Sequence, residues 1–218
     1  MTTYFNNSFV NRCLLLLVLL LLPVVHGCGE KTKKPEKTVA IAADNYESSR
    51  KNIFEAVRTG TIKDVKYFLD RGATVNNKAP EDELVFHGKP LIFIAATLNP
   101  DVEVLKYLIE QGADVNAKDD DGKTPLHYVA ELPDSSIDIL KCLIEKGANV
   151  NAKDKDDVTP LHAATLVFSS NIQILKYLIE KGADVNAKNV KGGTPLDCAF
   201  ANEEKKEIIR NAGGQPGG

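Results

Sequence analysis

The residues able to do chemistry are few, and their spacing argues against catalysis. Histidine occurs at His26, His87, His127 and His162. His127 and His162 stand 35 residues apart, and each ends a Thr-Pro-Leu-His tetrapeptide. An imidazole returning to one fixed slot points to structure: a neutral ring can bridge backbone groups of adjacent turns. His87 has carboxylates nearby, but a lone histidine on a polar loop reads as solvated. Asp119-Asp120-Asp121-Gly122 has the carboxylate density of a calcium loop. It lacks the alternation and the closing bidentate glutamate of that site. No HExxH, CxxC, GxSxG, phosphate loop or dinucleotide-binding glycine pattern occurs. No nucleophile has a base at a recognisable spacing, so the reading is a non-enzyme with no cofactor and no metal.

Cysteine use does not suggest a disulfide scaffold. Cys13 lies in an apolar leader, and Cys142 and Cys198 fall on helices two repeats apart. Helices pack at roughly 8–10 Å spacings, so those two should lie about 20 Å apart. A disulfide needs Cα atoms within about 7 Å. Both therefore read as small core residues. The 218 residues are 43% apolar and 26% charged, with a formal net charge of -3. That composition suits a soluble domain with a tail, and the charge is too small and too mixed to imply nucleic acid.

The elements that must position these residues repeat. Thr124 to Lys153 reads TPLHYVAELPDSSIDILKCLIEKGANVNAK. The text returns from Thr159 to Lys188, appears earlier from Lys89 to Lys118, and is degraded from Lys51 to Lys78. A truncated copy starts at Thr194. A fixed period of this length predicts a solenoid of one supersecondary unit. Thr124 is placed to N-cap a first helix, with Pro125 at its first position. Ile137, Leu140, Leu143 and Ile144 form the apolar stripe of a second helix. Gly147 ends that helix in the left-handed conformation. A helix pair of this size cannot bury its faces alone, so copies must stack.

TPLH at Thr124 to His127 and Thr159 to His162, with GADVNAK at Gly112 to Lys118 and Gly182 to Lys188, resembles the ankyrin repeat. The resemblance covers about residues 50–213. It implies an all-α ankyrin-repeat solenoid of about five stacked helix-turn-helix units with β-hairpin fingers. The repeats are expected at about 50–78, 88–118, 122–153, 157–188 and 192–213. Departures from the pattern are specific. The three central copies carry two extra residues between their helices. Lys89 stands where a capping threonine is expected. Asp197 replaces the histidine of the last copy, whose second helix is short and charged. The loop 77–88 is longer than its counterpart 117–123 and holds Glu81-Asp82-Glu83 followed by Leu84-Val85-Phe86.

The N-terminal region reads as a signal. Leu14 to Val25 is a 12-residue apolar run broken only by Pro23. A bilayer-spanning helix needs about 20 residues, whereas a secretory h-region is this short. Val25-His26-Gly27-Cys28-Gly29 resembles the bacterial lipobox, although His26 is unusual there and Arg12 is the only cation of the n-region side chains. The resemblance implies residues 1–27 as a signal peptide and lipid on Cys28. An ordinary signal peptide cut nearby, with Cys28 incidental, is the other reading. Residues 28–49 then form a lipid-anchored tether, polar and cationic from Gly29 to Lys37. The location implied is a bacterial cell envelope, with the periplasmic face of the outer membrane favoured because Gly29 is not an inner-membrane retention aspartate. Residues 214–218 read as a disordered tail.

The family resemblance implies a protein partner, met by finger tips and by the open face of the first helices. The matching positions are Lys118, Asp120, Asp121 and Lys123 in one finger. They are Lys153, Lys155, Asp156 and Val158 in the next, and Lys188, Val190 and Lys191 in the third. Tyr128 and Glu131 would line the inner helices. Phe86 either supplies an apolar anchor on the long finger or folds back over the first repeat. The function expected is a monomeric, non-catalytic scaffold for an unknown protein. A regulatory or protective subunit of a separate envelope enzyme and a purely structural envelope protein are the alternatives.

Overall fold

A computed structural model describes residues 52–76, 78–79, 88–133, 136–166, 171–200 and 202–218. All lie in the compact unit spanning residues 44–218. Cys28, the tether, the leader and Phe86 fall outside the described residues. Those described are helical: α1 (Ile53–Thr59), α2 (Ile62–Leu69), α3 (Leu91–Leu98), α4 (Val102–Glu110), α5 (Pro125–Ala130), α6 (Ile137–Glu145), α7 (Pro160–Leu166), α8 (Ile172–Glu180), α9 (Pro195–Cys198) and α10 (Glu203–Asn211). Among the described residues there is no β-strand, and Lys78 and Pro90 form an isolated antiparallel bridge.

The helices build two rows. Odd-numbered helices pack on one another in sequence, α1 to α3 to α5 to α7 to α9. Even-numbered helices do the same, and each odd helix also packs on the even helix that follows it. The sequence explains the division. Among the odd helices α3 has apolar or small side chains all round, and its residues Leu91 to Ala96 are all buried. A helix apolar all round must be covered on every side. The even helices are amphipathic: in α6, Ile139, Leu140, Cys142 and Leu143 are buried, while Asp138 and Glu145 face water. Gly147 then takes φ 93, and the Ala148 N–H reaches back to the Leu143 carbonyl at 2.9 Å, closing the helix end.

Side chains at the starts of even helices tie one pair of helices to the pair before it. The Asn99 amide donates to the Val57 carbonyl at the end of α1 at 2.7 Å. The Asn171 amide donates to the Ala130 carbonyl of α5 at 2.9 Å. Lys205 does the same for α7 through Ala164, also at 2.9 Å, although its side chain is fully buried. A cation held at a helix C-terminus meets the negative end of the helix dipole and satisfies a carbonyl that the helix leaves orphaned.

Cys142 is 3% exposed and Cys198 is half-buried; both thiols are free. Residues 214–218, expected to be disordered, instead hydrogen-bond to the helical array. The Gln215 N–H donates to Asn186 Oδ1 at 2.7 Å, and the Gly217 N–H donates to Asp197 Oδ2 at 2.7 Å. Composition suggested a flexible end. The side chains of Asn186, in the loop before α9, and of Asp197, in α9, hold it in place.

Candidate partner-binding surface

The loops after α4, α6 and α8 each end in a tip built around a single side-chain acceptor. In the first, Asp119 Oδ1 accepts the N–H groups of Asp121 at 3.0 Å and Lys123 at 2.9 Å. Asp154 does the same for Asp156 and Val158, both at 2.9 Å. Asn189 does it for Lys191 and Gly193, both at 3.0 Å. The backbone closes each tip as well, with N–H of Asp119, Asp154 and Asn189 donating to the carbonyls of Lys123, Val158 and Gly193. A short acceptor that bonds the N–H two residues on is the Asx turn, which is why aspartate or asparagine occupies this slot. Asp157 takes φ 57 where the two other tips have glycine, as aspartate tolerates better than most residues.

The tips are joined. The Lys155 N–H donates to the Asp121 carbonyl, and the Val190 N–H donates to the Asp156 carbonyl, each at 3.0 Å. Lys118 Nζ reaches the Lys153 carbonyl at 2.9 Å. Below them runs a ladder of asparagines. The amide of Asn116 donates to the Gly147 carbonyl and its Oδ1 accepts the Asn149 N–H. Asn151 repeats this with Gly182 and Asp184, and Asn186 with Gly213 and Gln215. The tips therefore form one row. Lys118, Asp120, Asp121, Lys153, Lys155, Asp156, Lys188, Val190 and Lys191 are exposed along it. Val158 is half-buried.

Lys123, Tyr128 and Glu131 are placed differently. All three are half-buried and belong to a network inside the chain. Lys123 pairs with Glu131 at 3.1 Å. The Tyr128 hydroxyl donates to Asp119 Oδ2 at 2.7 Å and accepts from Lys89 Nζ at 2.8 Å. Lys89 Nζ lies 3.3 Å from the same carboxylate oxygen, with side chains 11% and 3% exposed for Lys89 and Asp119. The Tyr128 ring meets Phe93 edge to face at 5.8 Å, and Lys89 stands 4.7 Å from its centroid. Burial would raise the Asp119 carboxyl. The Tyr128 hydroxyl, the Lys89 ammonium and the Lys123 backbone N–H outweigh it and hold the carboxyl below its ordinary 3.8.

Sequence reading missed Lys89 and Asp119 as partners. It treated Lys89 as a lost cap and Asp119 as part of a solvated tip. The signal was present: Lys89 departs from the repeat at the point where its neighbour's loop presents a carboxylate. Among the described residues no cluster of histidine, cysteine and carboxylate side chains is arranged to hold a metal ion.

His127 and His162 sit under the tips, fully buried. His127 Nδ1 accepts the Thr124 N–H at 3.0 Å and lies 2.9 Å from the Thr124 hydroxyl. The backbone N–H can only donate, so Nδ1 is unprotonated and the proton is on Nε2. Nε2 then donates to the Val158 carbonyl at 3.0 Å. His162 does likewise with Thr159 and the Gly193 carbonyl, the latter at 3.2 Å. The imidazole thus fills the place of the carboxylate in a capping box and also reaches the next loop. Burial pushes both imidazoles below 6.5, against the pull of the Val158 and Gly193 carbonyls.

Comparison with known proteins agrees with this geometry. The family profile described as ankyrin repeats (3 copies) matches residues 53–154, 91–189 and 135–211. An ankyrin repeat protein of Pyrobaculum aerophilum is 37% identical over 75 residues, covering 34% of this chain and 25% of the relative. One from Rickettsia bellii is 32% identical over 97 residues, covering 36% of this chain and 40% of the relative. The chain thus spans between a quarter and two fifths of the length of these relatives. With the profile matched from residue 53 to residue 211, the chain belongs to the ankyrin repeat family.

Proposed function

We propose that this chain is a non-catalytic protein-binding scaffold of five ankyrin repeats, held at a bacterial envelope membrane through lipid on Cys28. Ankyrin repeats make protein–protein interaction modules, and the finer reading rests on one observation. The exposed residues of three consecutive tips form a continuous, hydrogen-bonded row. A rigid row presents many contacts with little ordering left to do on binding. In this reading the tips are the family's hairpin fingers, the protein is monomeric, and residues 28–49 form the tether.

The row also indicates the partner's chemistry. Five lysines (118, 153, 155, 188 and 191) stand exposed against three aspartates (120, 121 and 156). The partner face is therefore one richer in carboxylates. Exposed charges of this kind set association rate and orientation more than affinity. Affinity needs an apolar contact, and Phe86 on the long finger is proposed as that anchor.

The test is cross-linking of the tagged full chain in its native envelope, followed by the same experiment with Lys155→Glu and Lys191→Glu together. A partner captured by the parent chain and lost by the variant, with helical circular dichroism unchanged, supports the row as the binding surface. Recovery of the same partner in the same yield places the surface elsewhere.

A further inference from the structure

The tip row is not uniform along its length. Asp120, Asp121, Lys155, Asp156, Lys188 and Lys191 are exposed, and their side chains form no hydrogen bond or ion pair among the described residues. The remaining lysines of the row are engaged within the chain. Lys118 Nζ donates to the Lys153 carbonyl at 2.9 Å, which carries its charge from the first tip toward the second. Lys153 Nζ lies 3.6 Å from Asp157 Oδ1, and Lys123 Nζ lies 3.1 Å from Glu131 Oε1.

The free charges are therefore sorted by loop. The loop after α4 keeps two carboxylates, Asp120 and Asp121. The loop after α6 keeps one charge of each sign, Lys155 and Asp156. The loop after α8 keeps two ammonium groups, Lys188 and Lys191, on either side of Val190, which is 59% exposed. Backbone bonds fix this order, because the Lys155 N–H donates to the Asp121 carbonyl and the Val190 N–H to the Asp156 carbonyl. Packed helices stand roughly 8–10 Å apart, so the acidic and basic ends of the row lie about 20 Å apart. The screening length at physiological salt is about 8 Å. The ends do not neutralise each other at that range, and each presents its own sign to the solvent.

We infer that the row takes an extended protein segment of matching polarity, with lysine or arginine over Asp120 and Asp121, carboxylates over Lys188 and Lys191, and an apolar side chain against Val190. This rests on the tip row being the binding surface, as proposed above, and it assigns the carboxylate-rich part of the partner face to the loop after α8. An extended chain advances about 3.3 Å per residue, so the two charged groups of the segment stand about six residues apart. A polyanion, whether nucleic acid or an anionic lipid surface, carries phosphate along its whole length and meets two unpaired aspartates at the acidic end. Like charges set face to face oppose docking. The polarity also fixes direction, since a segment laid in the reverse sense sets like charges together at both ends.

The probe is the peptide Lys-Lys-Ser-Thr-Ser-Leu-Glu-Glu with both termini blocked, titrated into the full chain at low salt and followed by amide resonances. The control is the same composition with its charges interleaved, Lys-Glu-Ser-Thr-Ser-Leu-Lys-Glu. The sorted peptide should bind about tenfold more tightly, as four weak exposed pairs together supply. The difference should vanish at about 0.5 M salt. A nitroxide on the acidic end of the peptide should broaden the Val190 and Lys191 amides, and one on the basic end those of Asp120 and Asp121. Asp120→Lys with Asp121→Lys should abolish the preference for the sorted peptide, with circular dichroism unchanged. Equal affinity for the two peptides, binding of neither, a preference that survives in that variant, or the same amides broadened by both labels overturns the polarity and leaves the row standing. Broadening confined to residues outside the three loops overturns the row itself. Tighter binding of a short oligothymidylate than of the sorted peptide makes the row a polyanion site and overturns the inference.

Discussion

His127 Nε2 lies 3.0 Å from the carbonyl oxygen of Val158, a residue 31 positions further along the chain. That one bond joins the start of α5 to the tip before α7. It requires a neutral ring with its proton on Nε2, because Nδ1 is occupied by the Thr124 N–H.

The pH dependence follows. Both buried imidazoles have folded-state values below 6.5. Between the folded and unfolded values, the unfolded chain binds more protons, so stability falls as pH drops through 6.5 and is fully present above it. The steepest loss from two such groups is about 2.7 kcal/mol per pH unit. Urea midpoints between pH 7.5 and 5.5 should fall, and His127→Gln should flatten the slope by about half. Midpoints that stay level or rise on acidification contradict the neutral-ring assignment. The lowered carboxyls of Asp119 and Asp197 act below 3.8, outside this window.

The core prediction concerns Leu140, fully buried on α6. Leu140→Ala removes apolar surface and leaves a cavity, at a cost of about 2–5 kcal/mol. A urea titration showing a loss of less than about 0.5 kcal/mol would mean that α6 does not bury this face.

The Lys89–Asp119–Tyr128 network should behave as a unit. Lys89→Met leaves a carboxylate 3% exposed without its cation, and should cost about 3–5 kcal/mol. Tyr128→Phe removes a hydroxyl bonded to both and should cost about 1–3 kcal/mol. The Asp119 carboxyl, followed by NMR, should titrate higher in Tyr128→Phe than in the parent. A double-mutant cycle with purely additive losses would show three separate contacts.

The asparagine ladder gives an exposed contrast. Asn151→Ala breaks the bonds to Gly182 and Asp184 and should cost about 1–2 kcal/mol although Asn151 is exposed. Val190→Ala, at a tip residue 59% exposed, should change stability by less than about 0.5 kcal/mol. Equal effects from the two would sink the ladder as a stabilising device.

Two outcomes bear on the proposed attachment and anchor. Cys28→Ser should release the chain from sedimenting membranes, because several acyl chains give stable attachment that the polar tether cannot. A variant that still sediments refutes the lipid. Phe86→Ala should weaken partner binding by about 2 kcal/mol or more with stability nearly unchanged. Lost stability with affinity intact makes Phe86 a cover for the first repeat.

The periodic text alone determined much of this protein. TPLH, the apolar stripe of α6 and Gly147 specify helix starts, faces and ends through neighbours a few residues away. Local rules suffice there because capping and amphipathic spacing act within one or two turns. The exposed tip row was legible for the same reason: the turn chemistry of Asp119, Asp154 and Asn189 is local. The tertiary structure decided what depends on distance between copies. Lys89 reads as a missing cap until α5 brings Tyr128, and the loop before α5 brings Asp119, against it. Tyr128 and Glu131, expected on an open inner face, are held in internal bonds. Gly214 and Gly217 read as linker residues until their approach to Ile209 and Gly192 shows that a methyl would not fit. The contacts of Lys89 with Asp119 and Tyr128, and of Gly217 with Gly192, join residues 25 to 39 positions apart, and only the tertiary fold brings them within hydrogen-bond or van der Waals range.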